Sequence, residues 1–280
     1  MDNFAVFILS HGRPDHIKTL KALQKGHYTG KTYIVIDNED DTAGEYRKRY
    51  GNQVIEFDKL AVSKTFDTAD NFDDRRAVVY ARNACFDIAE RLGIEYFLEL
   101  DDDYSAFQFR MIEGDSLRSI PCTQLDRAFE AMIRFLDASG ALSVAFSQGG
   151  DLLGGADNAN YHKRLLRKAM NTFFCKTSNK FQFLGRVNED VNTYTCLGNR
   201  GHLFFTYMPF SINQTETQKS KGGMSEMYLD SGTYVKSFYT VMFCPSSVKI
   251  GTMGSTHKRI HHLIDWNHCV PCIISPRYKK

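Results

Sequence analysis

Three consecutive aspartates, Asp101, Asp102 and Asp103, close the apolar run Tyr96-Phe97-Leu98-Glu99-Leu100. Like charges set side by side repel, so the cluster calls for a cation. Carboxylates two residues apart, on a sharp turn off a strand, can aim their oxygens at one hard ion. Magnesium and manganese favour oxygen ligands and commonly keep substrate phosphates among them. Asp101 and Asp103 are therefore expected to hold a divalent ion, whose charge offsets their repulsion. An isolated acidic cluster after a strand is more often a solvated turn or a helix cap, so the elements around this one decide its meaning.

The first half of the chain alternates strands and helices. AVFILS (Ala5 to Ser10) is a continuous apolar run, as a parallel strand covered on both faces requires. HGRPDHIKTLKALQKG then opens a helix, with Pro14 in its first turn and Gly26 past its end. TYIVIDNEDD is a second strand ending in acids, followed by a short helix near Glu45 to Tyr50 and a third strand, Gln53 to Phe57. From Asp73 to Leu92 the apolar residues recur at three and four, which predicts a long helix stopped by Gly93. Repeated βα units imply an α/β fold with a doubly wound, mostly parallel sheet. In such sheets ligands sit at the carboxyl ends of the strands. Ser10-His11-Gly12-Arg13, Asp37-Asn38 and Asp101-Asp102-Asp103 should then converge on one crevice. Further on, Thr123 to Ala138 predicts an amphipathic helix, LSVAFSQ a strand, Asn188 to Leu197 a helix, and QTETQKSKGG (Gln214 to Gly223) a polar loop.

Bulk properties narrow the classes. The chain has 280 residues, 42% hydrophobic, enough for one large α/β domain or two small ones. A net charge of +2 demands no polyanionic partner, so any nucleic-acid contact must come from local patches. No window of about 18 apolar residues exists, and the N-terminus does not resemble a signal peptide. No membrane partner and a cytoplasmic location are expected. The seven cysteines are scattered. Cys269 and Cys272 form a lone C-x-x-C near His261, His262 and His268; reduced thiols or, less simply, zinc would account for it.

FILSHGRPD, YIVIDNEDD and above all YARNACFDIAERLGIEYFLELDDD resemble the nucleotide half of GT-A type nucleotide-sugar glycosyltransferases. GRVNEDVNTY resembles the segment that carries the catalytic base of inverting members. RIHHLIDWNHCVPCI is similar to the end of a narrower group. That group consists of phage enzymes that glycosylate hydroxymethylated pyrimidines in DNA, associated with base-oxidising dioxygenases and akin to the base J glucosyltransferase. The resemblance implies one GT-A type domain over 1–280, with a nucleotide-sugar and metal-binding half (1–110) and an acceptor and catalytic-base half (111–280). It implies a UDP-sugar donor and Mn2+ or Mg2+. Asp103 would be a direct metal ligand, and Asp101 a ligand or a ribose contact beside Asp102. A C-terminal histidine, His262, His261 or His257, would complete the metal site. Ser10, His11, Arg13 and Arg82 would meet the nucleotide or its phosphates, and Asp37 the uracil or ribose. Arginine suits such oxygens because its planar fork binds them in pairs. Gly12 lets the backbone approach closely or simply turns the chain.

Asp190 would take the proton of the attacking hydroxyl, with Glu189 beside it as a substitute. The same residues also suit an ordinary helix start, with Asn188 as cap and the two acids complementing the dipole. Basic clusters, HKRLLRK (His162 to Lys168) and HKRIHH (His257 to His262), suit phosphates, and Tyr161, Phe173, Phe174 and Trp266 are available to stack on an extruded base. The acceptor implied is DNA with hydroxymethylated pyrimidines. A saccharide or protein acceptor is the alternative. A non-catalytic nucleotide-binding module would need no base, and a nucleotidyltransferase would want a richer glycine loop than SHGRPD.

Overall fold

The computed structural model describes residues 3–70, 75–214, 235–253 and 258–271. In chain order its strands are β1 (Phe4–Leu9), β2 (Lys31–Asp37), β3 (Val54–Phe57), β4 (Tyr96–Asp101), β5 (Tyr104–Glu113) and β6 (Ser116–Pro121), then β7 (Ser143–Ser147), β8 (Leu165–Leu166), β9 (Phe173–Lys176), β10 (Phe204–Gln214), β11 (Val248–Met253) and β12 (Arg259–Ile264). The helices are α1 (Lys18–Lys25), α2 (Ala43–Tyr50), α3 (Lys59–Ser63), α4 (Val79–Arg91), α5 (Leu125–Ser139), α6 (Ala159–Lys163) and α7 (Glu189–Asn199). Residues 235–243 are also helical.

Every residue of β1 is buried, which its unbroken apolar sequence demands. β1 pairs in parallel with β2 and β4, and β3 extends the sheet beyond β2. The strand order is β3-β2-β1-β4-β9-β7-β10-β5-β6, with β8 beside β10. β9 runs antiparallel to both neighbours, and β5 and β6 form an antiparallel ribbon against β10. A single mixed, mostly parallel sheet thus carries strands from both halves of the chain. Its two faces have separate cores. Leu23 of α1 and Phe129 of α5 pack on one, Phe86 of α4 and Val191 of α7 on the other.

Two helices begin later than expected. α1 begins at Lys18, so residues 11–17 form a loop. That loop is pinned from α2: the Tyr46 hydroxyl accepts from the Arg13 amide at 2.9 Å, and the Tyr50 hydroxyl donates to the Pro14 carbonyl at 2.7 Å. α4 begins at Val79 rather than Asp73; Asp73 itself lies outside the described residues. The polar stretch expected over 214–223 also lies outside them, except Gln214, which ends β10. β5, β6 and β8–β12 were not anticipated. β10 holds Pro209, which offers no N–H to a ladder, and its pairing with β7 shifts register between Tyr207 and Ser211.

Candidate active site

The crevice begins at the ends of β1, β2 and β4, as the topology requires. Ser10 follows β1; its hydroxyl donates to Asp102 Oδ2 at 2.6 Å and lies 2.7 Å from the Tyr46 hydroxyl. The Arg13 guanidinium meets Asp102 Oδ1 at 3.0 Å. Asp102 is therefore the buried anchor of the loop after β1, with both oxygens engaged by that loop. At Gly12 the backbone takes φ +68°, and a Cβ there would meet nothing within 4 Å. The glycine serves the turn, not a close approach. Its N–H donates to Asp40 Oδ2 at 2.8 Å.

Asp37, at the end of β2, is also already held. Its Oδ1 faces Lys59 Nζ at 3.3 Å and its Oδ2 faces His11 Nδ1 at 2.8 Å. The exposed member of this group is His11, whose side chain is 46% exposed against 7% for Asp37. The hydrogen bond to Asp37 raises the His11 pKa. Burial alone would raise that of Asp37, but His11 and Lys59 outweigh it and hold the carboxylate below its usual range. Tyr46, Asp40 and Lys59 were missed in the sequence. Asp40 was legible as part of the Asn38-Glu39-Asp40-Asp41 cluster; the other two carried no local signal.

Arg82 requires a correction. It was expected to meet nucleotide phosphate, yet its side chain is 2% exposed and stacks over the Phe173 ring with its carbon 4.8 Å from the centroid. Its Nη2 reaches Asp101 Oδ1 at 3.0 Å, its Nε reaches Glu189 Oε1 at 3.1 Å, and its Nη1 lies 3.6 Å from Glu99 Oε2. Three carboxyl groups, two of them at the expected donor and base positions, share one buried guanidinium. The three acids hold Arg82 firmly charged against its burial. Glu99 was missed, though a lone acid inside the apolar run of β4 was a signal for a buried partner.

Burial pushes the Glu99 carboxyl up to about 8, whereas an unfolded chain releases that proton near about 4.3. Between those values the folded state binds more protons, so this group makes stability fall as pH rises. The expected outcome is a melting temperature that declines from pH 5 to 8, and declines less in Glu99→Gln. Equal slopes in the two proteins would place the retained proton elsewhere.

Glu189 and Asp190 form the first turn of α7 and are both buried. Asn188 does not cap this helix with its side chain. It sits at φ +56° and its amide donates to the Lys236 carbonyl at 2.7 Å, tying the turn to the 235–243 helix. Asp190 Oδ1 accepts from the Val191 N–H at 2.7 Å. Burial raises both carboxyls. Glu189 reaches about 7, with Asp190 adding to the rise and Arg82 opposing it.

Does this crevice suit a divalent cation? The chemistry of the aspartates does. Burial, then the charges of Asp101 and Asp102, push the Asp103 carboxyl up to about 7, the behaviour of crowded carboxylates that a cation would relieve. Arg82 takes one oxygen of Asp101, leaving its second for a ligand role beside Asp103. The histidines are not gathered with them. His261 and His262 lie on β12, which pairs with β11 in a separate two-stranded sheet. Burial keeps the His262 imidazole neutral, its pKa near about 4, and its buried Nδ1 has no hydrogen-bond partner. Among the described residues no three His, Cys, Asp or Glu side chains form a ready ligand set. His257 and Cys272 lie outside those residues, and Cys269 is buried.

The expected stacking aromatics also need correcting. Phe173 and Phe174 are wholly buried core residues, and Tyr161 is buried with its hydroxyl donating to the Arg110 carbonyl at 2.6 Å. Trp266 is 37% exposed and stacks on Tyr194 at 5.8 Å, one helical turn beyond Asp190. In the HKRLLRK cluster, Lys168 pairs with Asp151 and Arg167 donates to the Cys269 carbonyl, while Lys163 and Arg164 are exposed. No helix among the described residues is long and apolar enough to cross a membrane.

A mixed, mostly parallel sheet carries acids at its strand ends, a buried arginine joins them to a helix-borne acid pair, and the chain is a glycosyltransferase. It belongs to the TET-associated glycosyltransferase family, whose profile matches residues 4–223. A search of curated proteins gives no significant match. Among solved structures, that of a mycobacterial protein superposes with a TM-score of 0.50 at 9% identity, covering 94% of this chain and 84% of that one. Glucosyl-3-phosphoglycerate synthase from Mycobacterium tuberculosis, in complex with Mg2+ and UDP, gives 0.47 at 8% identity over 94% and 88% of the two chains. The same enzyme with Mn2+ and UDP-glucose gives 0.47 at 10% over 94% and 87%. At such identities the likeness extends to the fold alone.

Proposed function

We propose that this protein moves a sugar from a UDP-sugar to the hydroxyl of a 5-hydroxymethylpyrimidine in DNA, with inversion at the anomeric carbon. The observation that carries the reading is the reach of Arg82, which binds Asp101 at the donor strand end and Glu189 at the base turn. Donor-side and acceptor-side carboxylates are thereby held at one buried anchor. Asp190 accepts the proton of the attacking hydroxyl; burial strengthens it as a base. Arg13 is fixed on Asp102 while its side chain stays 29% exposed, which suits it to a donor phosphate. His11, braced by Asp37, is the exposed contact for the nucleoside. A divalent ion held by Asp101 and Asp103 would stabilise the charge that develops on the departing diphosphate. The DNA acceptor rests on the family, a group of glycosyltransferases associated with base-oxidising TET enzymes.

The test is a transfer assay with manganese and a panel of UDP-sugars. The acceptors are duplexes containing hydroxymethylcytosine, hydroxymethyluracil or unmodified bases, and the digested nucleosides are weighed. A hexose- or pentose-sized gain on one modified base is the expected result. Hydrolysis of a UDP-sugar with no gain on any DNA would move the acceptor to a saccharide or protein. Asp103→Ala should abolish the manganese-dependent part of donor hydrolysis. Hydrolysis that still depends on manganese to the same degree would remove Asp103 from the metal site.

A further inference from the structure

We infer that a groove between β5 and β10 receives the phosphate backbone of the nucleic acid flanking the acceptor base, through Arg110 and Arg164. This rests on the DNA reading above. The groove has a volume of about 540 Å³ and is lined by both arginines, Tyr161, Tyr207, Ile112 and Pro209 among others, with no carboxylate in its lining. The two arginines differ from eight others in the chain. Arg13, Arg47, Arg49, Arg75, Arg82, Arg118, Arg134 and Arg186 each meet a carboxylate. Among the described residues neither Arg110 nor Arg164 does. Arg110 is held by neutral groups, its Nε on Ser211 Oγ at 2.8 Å and its Nη2 on Gln108 Oε1 at 3.3 Å. Arg164 sits at φ +63° with its guanidinium 4.6 Å from the centre of the Tyr161 ring. Both are thus positioned but not neutralised, the state in which a guanidinium binds phosphate best.

Tyr207 and Ile112 are 37% and 41% exposed and offer apolar surface to sugars or bases between phosphates. Exposed Lys163 adds charge beside Arg164. The nearest acid on the hairpin, Glu113, is already paired with Arg118.

The location fits a flanking strand and not the acceptor base. Arg110 lies six residues along β5 from Tyr104, which follows the aspartate turn. At about 3.4 Å per residue that is roughly 20 Å, or about six base steps at about 3.4 Å along one DNA strand. The segment between groove and crevice is continuous: residues 161–168 run from Tyr161 to Lys168, whose charge acts on Asp190.

The test compares wild type with Arg110→Gln/Arg164→Gln, and with Arg164→Gln alone because that side chain is exposed and its loss leaves the fold intact. Acceptors are duplexes with about two or about twelve base pairs on each side of one hydroxymethylpyrimidine, the longer set spanning the distance derived above. The double variant should raise KM for the long duplex on the order of 10-fold and lower the salt slope of binding by about two. KM for the short duplex and donor hydrolysis should not change. Arg164→Gln alone should give a smaller change of the same pattern. An unchanged KM and salt slope on long DNA, with wild type active on it, would overturn the groove while leaving the acceptor reading intact. Failure of wild type on every DNA would overturn the acceptor reading, and the groove with it.

Discussion

Arg82→Leu should destabilise the protein by about 3–5 kcal/mol, the usual cost of removing one partner from a buried charge group. For a chain of this size that is on the order of a 10 °C drop in melting temperature. Leucine fills part of the space over Phe173, but Asp101 and Glu189 would lose the cation that both now contact. Arg82 now opposes the rise of the Glu189 carboxyl, so without it Glu189 keeps its proton to still higher pH and the penalty must grow with pH. The unfolded chain releases that proton at about 4.3. The folded variant then binds more protons than the unfolded chain, and its stability falls as pH climbs through that window. The gap between variant and wild type should therefore be small at pH 5 and largest at pH 8. Arg82→Lys keeps the charge but cannot reach three carboxyls with one planar fork, so it should recover only part of the loss. A pH-independent loss in Arg82→Leu would mean that packing against Phe173, not charge, is what the arginine supplies.

Arg82 also shows where sequence reasoning reaches its limit. The aspartates at the end of β4, Asp37 at the end of β2 and Ser10 after β1 were legible because a parallel sheet places strand ends together whatever the rest of the chain does. The helix carrying Arg82 was legible too, by its spacing of apolar residues. Its burial was not, because its partners lie 19 and 107 residues away and no local pattern announces them. Glu99 was the available hint. Its neighbours in β4, Phe97, Leu98 and Leu100, are fully buried, and an acid among them needs a cation inside the fold. The aromatic residues misled for the opposite reason. Phe173 and Phe174 stand between polar stretches in the sequence, but β9 inserts between β4 and β7 in the middle of the sheet. Antiparallel insertion of that kind leaves no periodic trace in four residues. β5 was more legible than its omission suggests. Phe107, Phe109 and Met111 alternate with polar residues, and the alternation directly predicts a strand.

Asp190→Asn should reduce transfer by about 10²–10⁴-fold, the range for loss of a general base, while donor affinity and melting temperature stay near wild type. The asparagine oxygen can still accept from the Val191 N–H, so the first turn of α7 should survive. What disappears is basicity. In wild type the acid pair is buried, and the rise of Glu189 to about 7 with Asp190 also raised means that a proton lingers on the pair near neutrality. The transfer rate should therefore climb as pH rises through that region, since the base works only without its proton. In Asp190→Asn that rising limb should vanish along with the rate. Glu189→Gln separates the two acids. Glu189 Oε1 is occupied by Arg82, so its loss should chiefly weaken the buried charge group and lower the melting temperature, with a smaller effect on the chemical step. The opposite ranking, with Glu189→Gln abolishing transfer and Asp190→Asn sparing it, would assign the base to Glu189. Its Arg82 contact would then be one that breaks when the acceptor binds.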